Sequence, residues 1–87
     1  GLQAGADKMN FVATFHTHLA AMLTCSTLQK AGVTAKLAPV PRRLSSSCGT
    51  CVFYGGDEPH LEAMDRDVEA VYRREGEGYA CLYRGED

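Results

Sequence analysis

The 87-residue chain has no tryptophan, few other aromatic residues and no long apolar run. Its core must therefore be built from leucine, valine, alanine, phenylalanine and methionine. Because no apolar run approaches the roughly 20 residues that span a bilayer, we expect no membrane-spanning helix. The formal net charge of −2 gives no basic bias toward nucleic acid or an anionic membrane surface. The composition predicts one globular domain with neither nucleic acid nor membrane among its partners.

The start of the chain lacks the hydrophobic segment of a secretion signal. We interpret residues 1–8 as a disordered leader added for recombinant expression, with Met9 as the native start of a domain over residues 9–87. Four cysteines could form a disulfide scaffold in a small secreted protein. Without a secretion signal, we instead expect a cytoplasmic protein whose thiols are mostly reduced.

The first half of the chain has the pattern of strand, helix and strand. Residues 10–15 are β-rich, and Thr17 is a suitable N-cap for the helix that follows. Gly32 then stops this helix. A second strand is predicted over residues 33–40, and its prolines favour an edge position.

The second half predicts the same order again. Residues 50–54 form a third strand, and Asp57 opens a second helix. This helix has apolar residues at helical spacing and ends at Gly76, before a fourth strand at residues 79–83. The order βαββαβ indicates a ferredoxin-like α+β sandwich of four antiparallel strands, with two helices on one face. The other face would be bare, and a homodimer through it would cover it.

In that topology three connections meet at one end of the sheet: residues 16–18, 41–48 and 75–78. The start of the first helix offers unpaired backbone N–H groups and the positive end of the helix dipole. This end is therefore a candidate anion site.

The most informative motif is a loop that ends in two cysteines spaced C-x-x-C, Cys48 and Cys51. Arg42 and Arg43 precede it, and a nearby arginine favours the thiolate, which is the nucleophilic form. Cys48 is the candidate reactive thiol, and Cys51 is either its resolving partner or a small buried strand residue. The motif continues into a strand, whereas thioredoxin-type pairs open a helix.

The same end of the sheet supplies candidate ligands for a metal or an anion. His16 and His18 could complete a zinc site with the two cysteines, but their rings splay apart and a zinc site needs about four ligands. We therefore expect neither metal nor other cofactor. The candidate anion-binding residues share the loop or the helix start, and they are Arg42, Arg43, Ser45, Ser47, Gly49, His16 and Thr17.

Three segments, FHTHLAA at 15–21, LQKAGV at 28–33 and PVPRRLSSSCG at 39–49, resemble a small domain of unknown function known as selenium/sulfur-carrier-like. The resemblance spans roughly residues 10–54. It implies a ferredoxin-like fold, a chalcogen-carrier role and Cys48 as the attachment point. The loop residues that it implies as support are Pro41, Arg42, Ser45, Ser47 and Gly49.

Our preferred hypothesis is a carrier that holds a persulfide, or its selenium equivalent, on Cys48. Its partners would be a donor protein, such as a cysteine desulfurase, and an acceptor protein. Such a shuttle is an accessory protein rather than a stand-alone enzyme. Two alternatives stay open: a thiol-disulfide module that uses Cys48 and Cys51, and a non-enzymatic domain that binds an anion or a partner.

Overall fold

A five-stranded antiparallel sheet with one helix forms the body of the protein, in a computed structural model that describes residues 9–85. The predicted leader at residues 1–8 lies outside the described residues. The elements in chain order are β1 (Phe11–Phe15), α1 (His18–Lys30), β2 (Ala35–Pro39), β3 (Thr50–Tyr54), a 3₁₀ turn (Leu61–Ala63), β4 (Val68–Glu75) and β5 (Gly78–Arg84). The strand order across the sheet is β2-β3-β1-β4-β5, so β1 is central.

The predicted start and end of α1 are confirmed. The Thr17 hydroxyl accepts a hydrogen bond from the Ala20 amide at 3.1 Å, which satisfies one of the unpaired donors of the first turn. Gly32 follows the helix with a φ of +87°, a conformation that glycine adopts without steric cost. Within residues 9–85 we find no helix that is long and apolar enough to cross a membrane.

The predicted second helix is wrong. Residues 55–67 form a loop with a single 3₁₀ turn, and β4 follows it. Valine and tyrosine at 68, 71 and 72 favour an extended strand, and β4 buries side chains on both faces of the sheet. The apolar residues Val68 and Val71, which have helical spacing in the sequence, therefore lie in a strand whose two faces are both buried.

The glycine that we expected to end this helix instead belongs to a β-hairpin. Glu75 pairs with Gly78, so Gly76 and Glu77 form a two-residue loop with Gly76 at a φ of +62°. Glycine at the first position of such a loop matches the twist of the flanking strands. With one helix and five strands, the fold is not a ferredoxin-like sandwich.

The sheet has a helix face and a loop face. On the helix face, α1 packs against side chains that include Phe11, Phe15 and Val52. On the loop face lies a second buried cluster, and Val40 and Leu44 of the β2–β3 loop pack against it. The members of that second cluster are Val12, Cys51, Ala70 and Tyr72. The face that we expected to be bare is thus covered in part by the chain itself, while a homodimer through it stays a prediction.

An irregularity in β4 changes where one side chain can reach. Thr14 pairs with Ala70 and Phe15 pairs with Val68, which leaves Glu69 as an extra residue in β4. A β-bulge of this kind breaks the strict alternation of side chains between the two faces. It lies where β1 ends and β3 begins, which we call the Cys48 end of the sheet.

Candidate functional site

The loop that carries the C-x-x-C motif is tied back to the end of β1. The Ser46 hydroxyl donates to the Phe15 carbonyl at 3.0 Å, and it accepts from the Cys48 amide at 3.4 Å. The Val40 amide donates to the Gly49 carbonyl at 3.1 Å, so the two ends of the loop are joined. Gly49 has a φ of +78°, which a residue with a side chain rarely adopts.

The Cys48 thiol is half-buried at the junction between β1 and α1. Its Sγ lies 3.5 Å from the Thr50 carbonyl oxygen and 3.9 Å from the Ser46 hydroxyl. The Thr50 hydroxyl is in turn 3.2 Å from Nδ1 of His18, the first residue of α1. The structure therefore brings the Cys48 loop and residues 16–18 together at one end of the sheet.

A carboxylate that sequence reasoning missed anchors the residue before Cys48. Glu69 Oε2 accepts from the Ser47 hydroxyl at 2.7 Å and lies 3.3 Å from Nδ1 of His16. The Ser47 amide also points at this carboxylate, 3.2 Å from Oε1. Glu69 lies in the segment for which the sequence predicted a second helix, and the bulge that aims it at the loop leaves no signature in the sequence.

The two loop arginines are exposed, and within residues 9–85 neither is hydrogen-bonded to the Cys48 thiol. Arg43 donates to the Glu77 carbonyl at 2.6 Å. Glu77 belongs to the 75–78 connection, which lies at the end of the sheet opposite the Cys48 end. The prediction that this connection meets the Cys48 loop at one end of the sheet is therefore wrong. Arg42 makes no hydrogen bond or ion pair to residues 9–85. The polar contacts of the Cys48 thiol are a hydroxyl and a carbonyl group instead.

The second thiol of the motif has a different environment. Cys51 is fully buried in the loop-face cluster, and its Sγ lies 3.6 Å from the Pro39 carbonyl. Burial, with a smaller effect from the negative charge of Cys48, raises the pKa of Cys51 to about 12. Cys48 packs instead against the helix-face cluster, and both thiols are free. These observations argue against Cys51 as a resolving thiolate.

The other two cysteines lie outside this loop. Cys25 is buried on α1, and its burial raises the pKa of the thiol. Cys81 is exposed on β5, directly opposite Tyr72. A hydrogen bond from Arg84 to the Tyr72 hydroxyl, followed by the charges of Tyr72 and Cys81, holds the pKa of Arg84 above its ordinary value. Arg84 therefore lies close to the Cys81 thiol.

The histidine and cysteine side chains do not assemble a metal site. Among residues 9–85, no three histidine, cysteine or acidic side chains come together as metal ligands would. The two histidines at the start of α1 contact separate partners, His16 with Glu69 and His18 with Thr50.

Comparison with models of known protein families gives a match. Residues 10–72 match the sequence model of the family described as "Putative Se/S carrier protein-like", a segment that contains Cys25, Cys48 and Cys51 but not Cys81. No curated protein and no solved structure matches the chain. Since the matched segment is most of the sequence, the chain belongs to this Se/S carrier-like family.

Proposed function

We propose that the protein carries sulfane sulfur or selenium as a persulfide, or its selenium equivalent, on Cys48. The observation that supports this most directly is the difference in exposure among the cysteines of the family segment. Cys25 and Cys51 are buried, whereas Cys48 is half-exposed in a loop at the Cys48 end of the sheet. A carrier atom must be reachable by a donor and an acceptor, and of these three thiols Cys48 meets that requirement.

The loading step is the transfer of one sulfur atom from a donor persulfide to the Cys48 thiol. The sulfur of Cys48 attacks the terminal sulfur of a cysteine persulfide on a donor protein, such as a cysteine desulfurase. A bond forms between Cys48 Sγ and that sulfur, and the sulfur–sulfur bond of the donor breaks. The donor cysteine leaves with the bonding electrons and takes up the proton that Cys48 releases, so no external oxidant or reductant is needed.

Delivery repeats the same exchange with a thiol of an acceptor protein. Cys51 would serve poorly as an internal acceptor, because it is buried and its pKa is raised to about 12. The Ser46 hydroxyl lies 3.9 Å from the Cys48 sulfur, close enough to contact the carried atom. The protein would thus act as a shuttle between two partners rather than as an enzyme.

The test is to incubate the reduced protein with a cysteine desulfurase and L-cysteine, and then to locate added sulfur by mass spectrometry. Trypsin places Cys48 and Cys51 together in the peptide of residues 44–66, so fragment spectra must separate them. Cys25 and Cys81 fall in other peptides, residues 9–30 and 75–84. We expect a gain of one sulfur atom on Cys48.

Matched serine variants complete this experiment. Cys48→Ser should abolish the adduct on the 44–66 peptide, whereas Cys51→Ser and Cys81→Ser should retain it. An adduct found mainly on Cys81, or one of equal yield in Cys48→Ser, would contradict the proposal.

A further inference from the structure

A small polar cleft opens on the loop face at the Cys48 end of the sheet. Its volume is about 190 Å³, below the roughly 300–1,000 Å³ of sites for drug-sized ligands, so it suits a smaller molecule. The side chains that line it come from five segments of the chain, namely β1, the β1–α1 connection, the β2–β3 loop, β4 and β5. They include Thr14, His16, Ser45, Glu69, Tyr72 and Arg84.

Two opposite charges line this cleft without neutralising each other. The Glu69 carboxylate is directed to Ser47 and His16, and the Arg84 guanidinium is directed to the Tyr72 hydroxyl at 3.4 Å. No carboxylate of residues 9–85 comes within 4.0 Å of the Arg84 nitrogens. One cleft thus has an acidic wall and a basic wall.

The floor of the cleft holds a polar group without a partner. Thr14 is completely buried, and its hydroxyl makes no hydrogen bond to residues 9–85. Buried hydroxyls are nearly always hydrogen-bonded, so such an exception at the base of a cleft points to a ligand. Nearby, the Tyr72 oxygen accepts from Arg84, which leaves its own O–H group able to donate.

We propose that this cleft binds a small zwitterion of the free α-amino-acid class. The ligand carboxylate would lie at Arg84 and the Tyr72 hydroxyl, and its ammonium group would face Glu69. A simple anion would meet the Glu69 carboxylate, and a simple cation would meet Arg84. A molecule with both charges is therefore the complementary ligand.

This inference does not depend on sulfur carriage. The cleft lies on the loop face, whereas the Cys48 side chain packs against the helix-face cluster. The cleft and Cys48 are neighbours through the β2–β3 loop, because Ser45 lines the cleft and Ser47 binds Glu69. A Cys48→Ser variant should bind the amino acid as the parent does, so the two proposals can fail separately.

The experiment is a titration of ¹⁵N-labelled full chain with L-alanine and L-serine, followed by amide chemical shifts. Acetate and ethylammonium, each with one of the two charges, are the matched ligands, and sulfate tests for an oxyanion site. We expect saturable shifts at residues 45, 69, 84 and 85 with the amino acids, and much weaker ones with the three other ions.

Two arginine variants supply the control. Arg84→Gln should raise the dissociation constant about tenfold or more, because a charged hydrogen-bond donor is lost. Arg73→Gln, at an exposed position on β4, should leave it unchanged. Unaltered amide shifts away from the cleft would show that both variants are folded.

Three results would overturn the proposal. One is acetate or sulfate binding as tightly as the amino acids, which would make the cleft an anion site. Another is the absence of saturable shifts up to about 10 mM, ten times the dissociation constant of a millimolar ligand. The third is equal binding by Arg84→Gln and the parent.

Discussion

The two faces of the sheet are closed in different ways, and the comparison explains the environment of each thiol. A 13-residue helix covers one face, and its buried side chains include Leu28. The other face is covered by the β2–β3 loop, through the half-buried Val40 and Leu44. The helix closes its face with regular apolar packing, whereas the loop leaves a polar cleft beside it.

The C-x-x-C motif lies across this division. Cys48 precedes β3 and packs toward the helix face, while Cys51 is inside β3 and is buried under the loop. Side chains in a strand alternate between the faces, so two cysteines three residues apart at a strand start need not meet. A short spacing in sequence therefore does not make a dithiol site.

The largest effect that we expect from this comparison is in thiol reactivity. Under native conditions iodoacetamide should modify Cys81 and Cys48 readily, whereas Cys51 should react only when the chain unfolds. Folding equilibrium constants are of order 10³ or more, so Cys51 should be protected by roughly a thousandfold relative to the denatured protein. Mass spectrometry of tryptic fragments over a time course gives the separate rates.

The denatured protein is the control, since all four thiols should react there at similar rates. Native rates for Cys48 and Cys51 within a few-fold of each other would show that the division between the faces is not maintained in solution.

Local signals were sufficient to predict the elements from β1 to β3. The strand at β1, the cap at Thr17, the stop at Gly32 and the strand at β3 all depend on residues close in sequence. These signals act through backbone conformation and through hydrogen bonds between residues close in sequence.

The second half could not be predicted in the same way. Val68 and Val71 are compatible with a helix and with a strand buried on both faces, and only the pairing of β4 with β1 and β5 decides between them. For the site, the adjacency of Arg42 and Arg43 to Cys48 in sequence suggested an arginine-activated thiol. In the fold, however, Arg43 reaches the far hairpin. Glu69 reaches the loop through a bulge that depends on strand register.

Core truncations should sharpen the contrast in packing between the two faces. Leu28→Ala, at a fully buried position on the helix face, should lower the free energy of unfolding by about 3 kcal/mol. Leu44→Ala, at a half-buried position on the loop face, should lower it by about 1 kcal/mol. Urea denaturation followed by circular dichroism measures both.

These two variants remove the same atoms, so they serve as matched controls for each other. A Leu44→Ala loss as large as the Leu28→Ala loss would mean that the loop is as much a part of the core as the helix. The description of two unlike faces would then be incorrect.

A third effect concerns the pH dependence of stability, and it arises from the burial of Cys51. In the folded chain Cys51 keeps its proton to about pH 12, whereas an unfolded thiol loses it near pH 8.5. A raised pKa in the folded state contributes stability that is fully present below about pH 8.5 and is lost as the pH rises toward 12. The slope should approach, at most, about 1.4 kcal/mol per pH unit.

Urea denaturation between about pH 7 and pH 10 measures that slope. Burial also raises the pKa of Tyr54 and of Cys25, so the parent protein loses stability from more than one group. The difference between the parent and Cys51→Ala isolates the contribution of Cys51. The variant should lose less stability over this range, while Cys81→Ala, at an exposed position, should follow the parent. Equal slopes for the parent and Cys51→Ala would mean that water reaches the loop face, and a Cys51 hydrated in that way could act as the partner of Cys48.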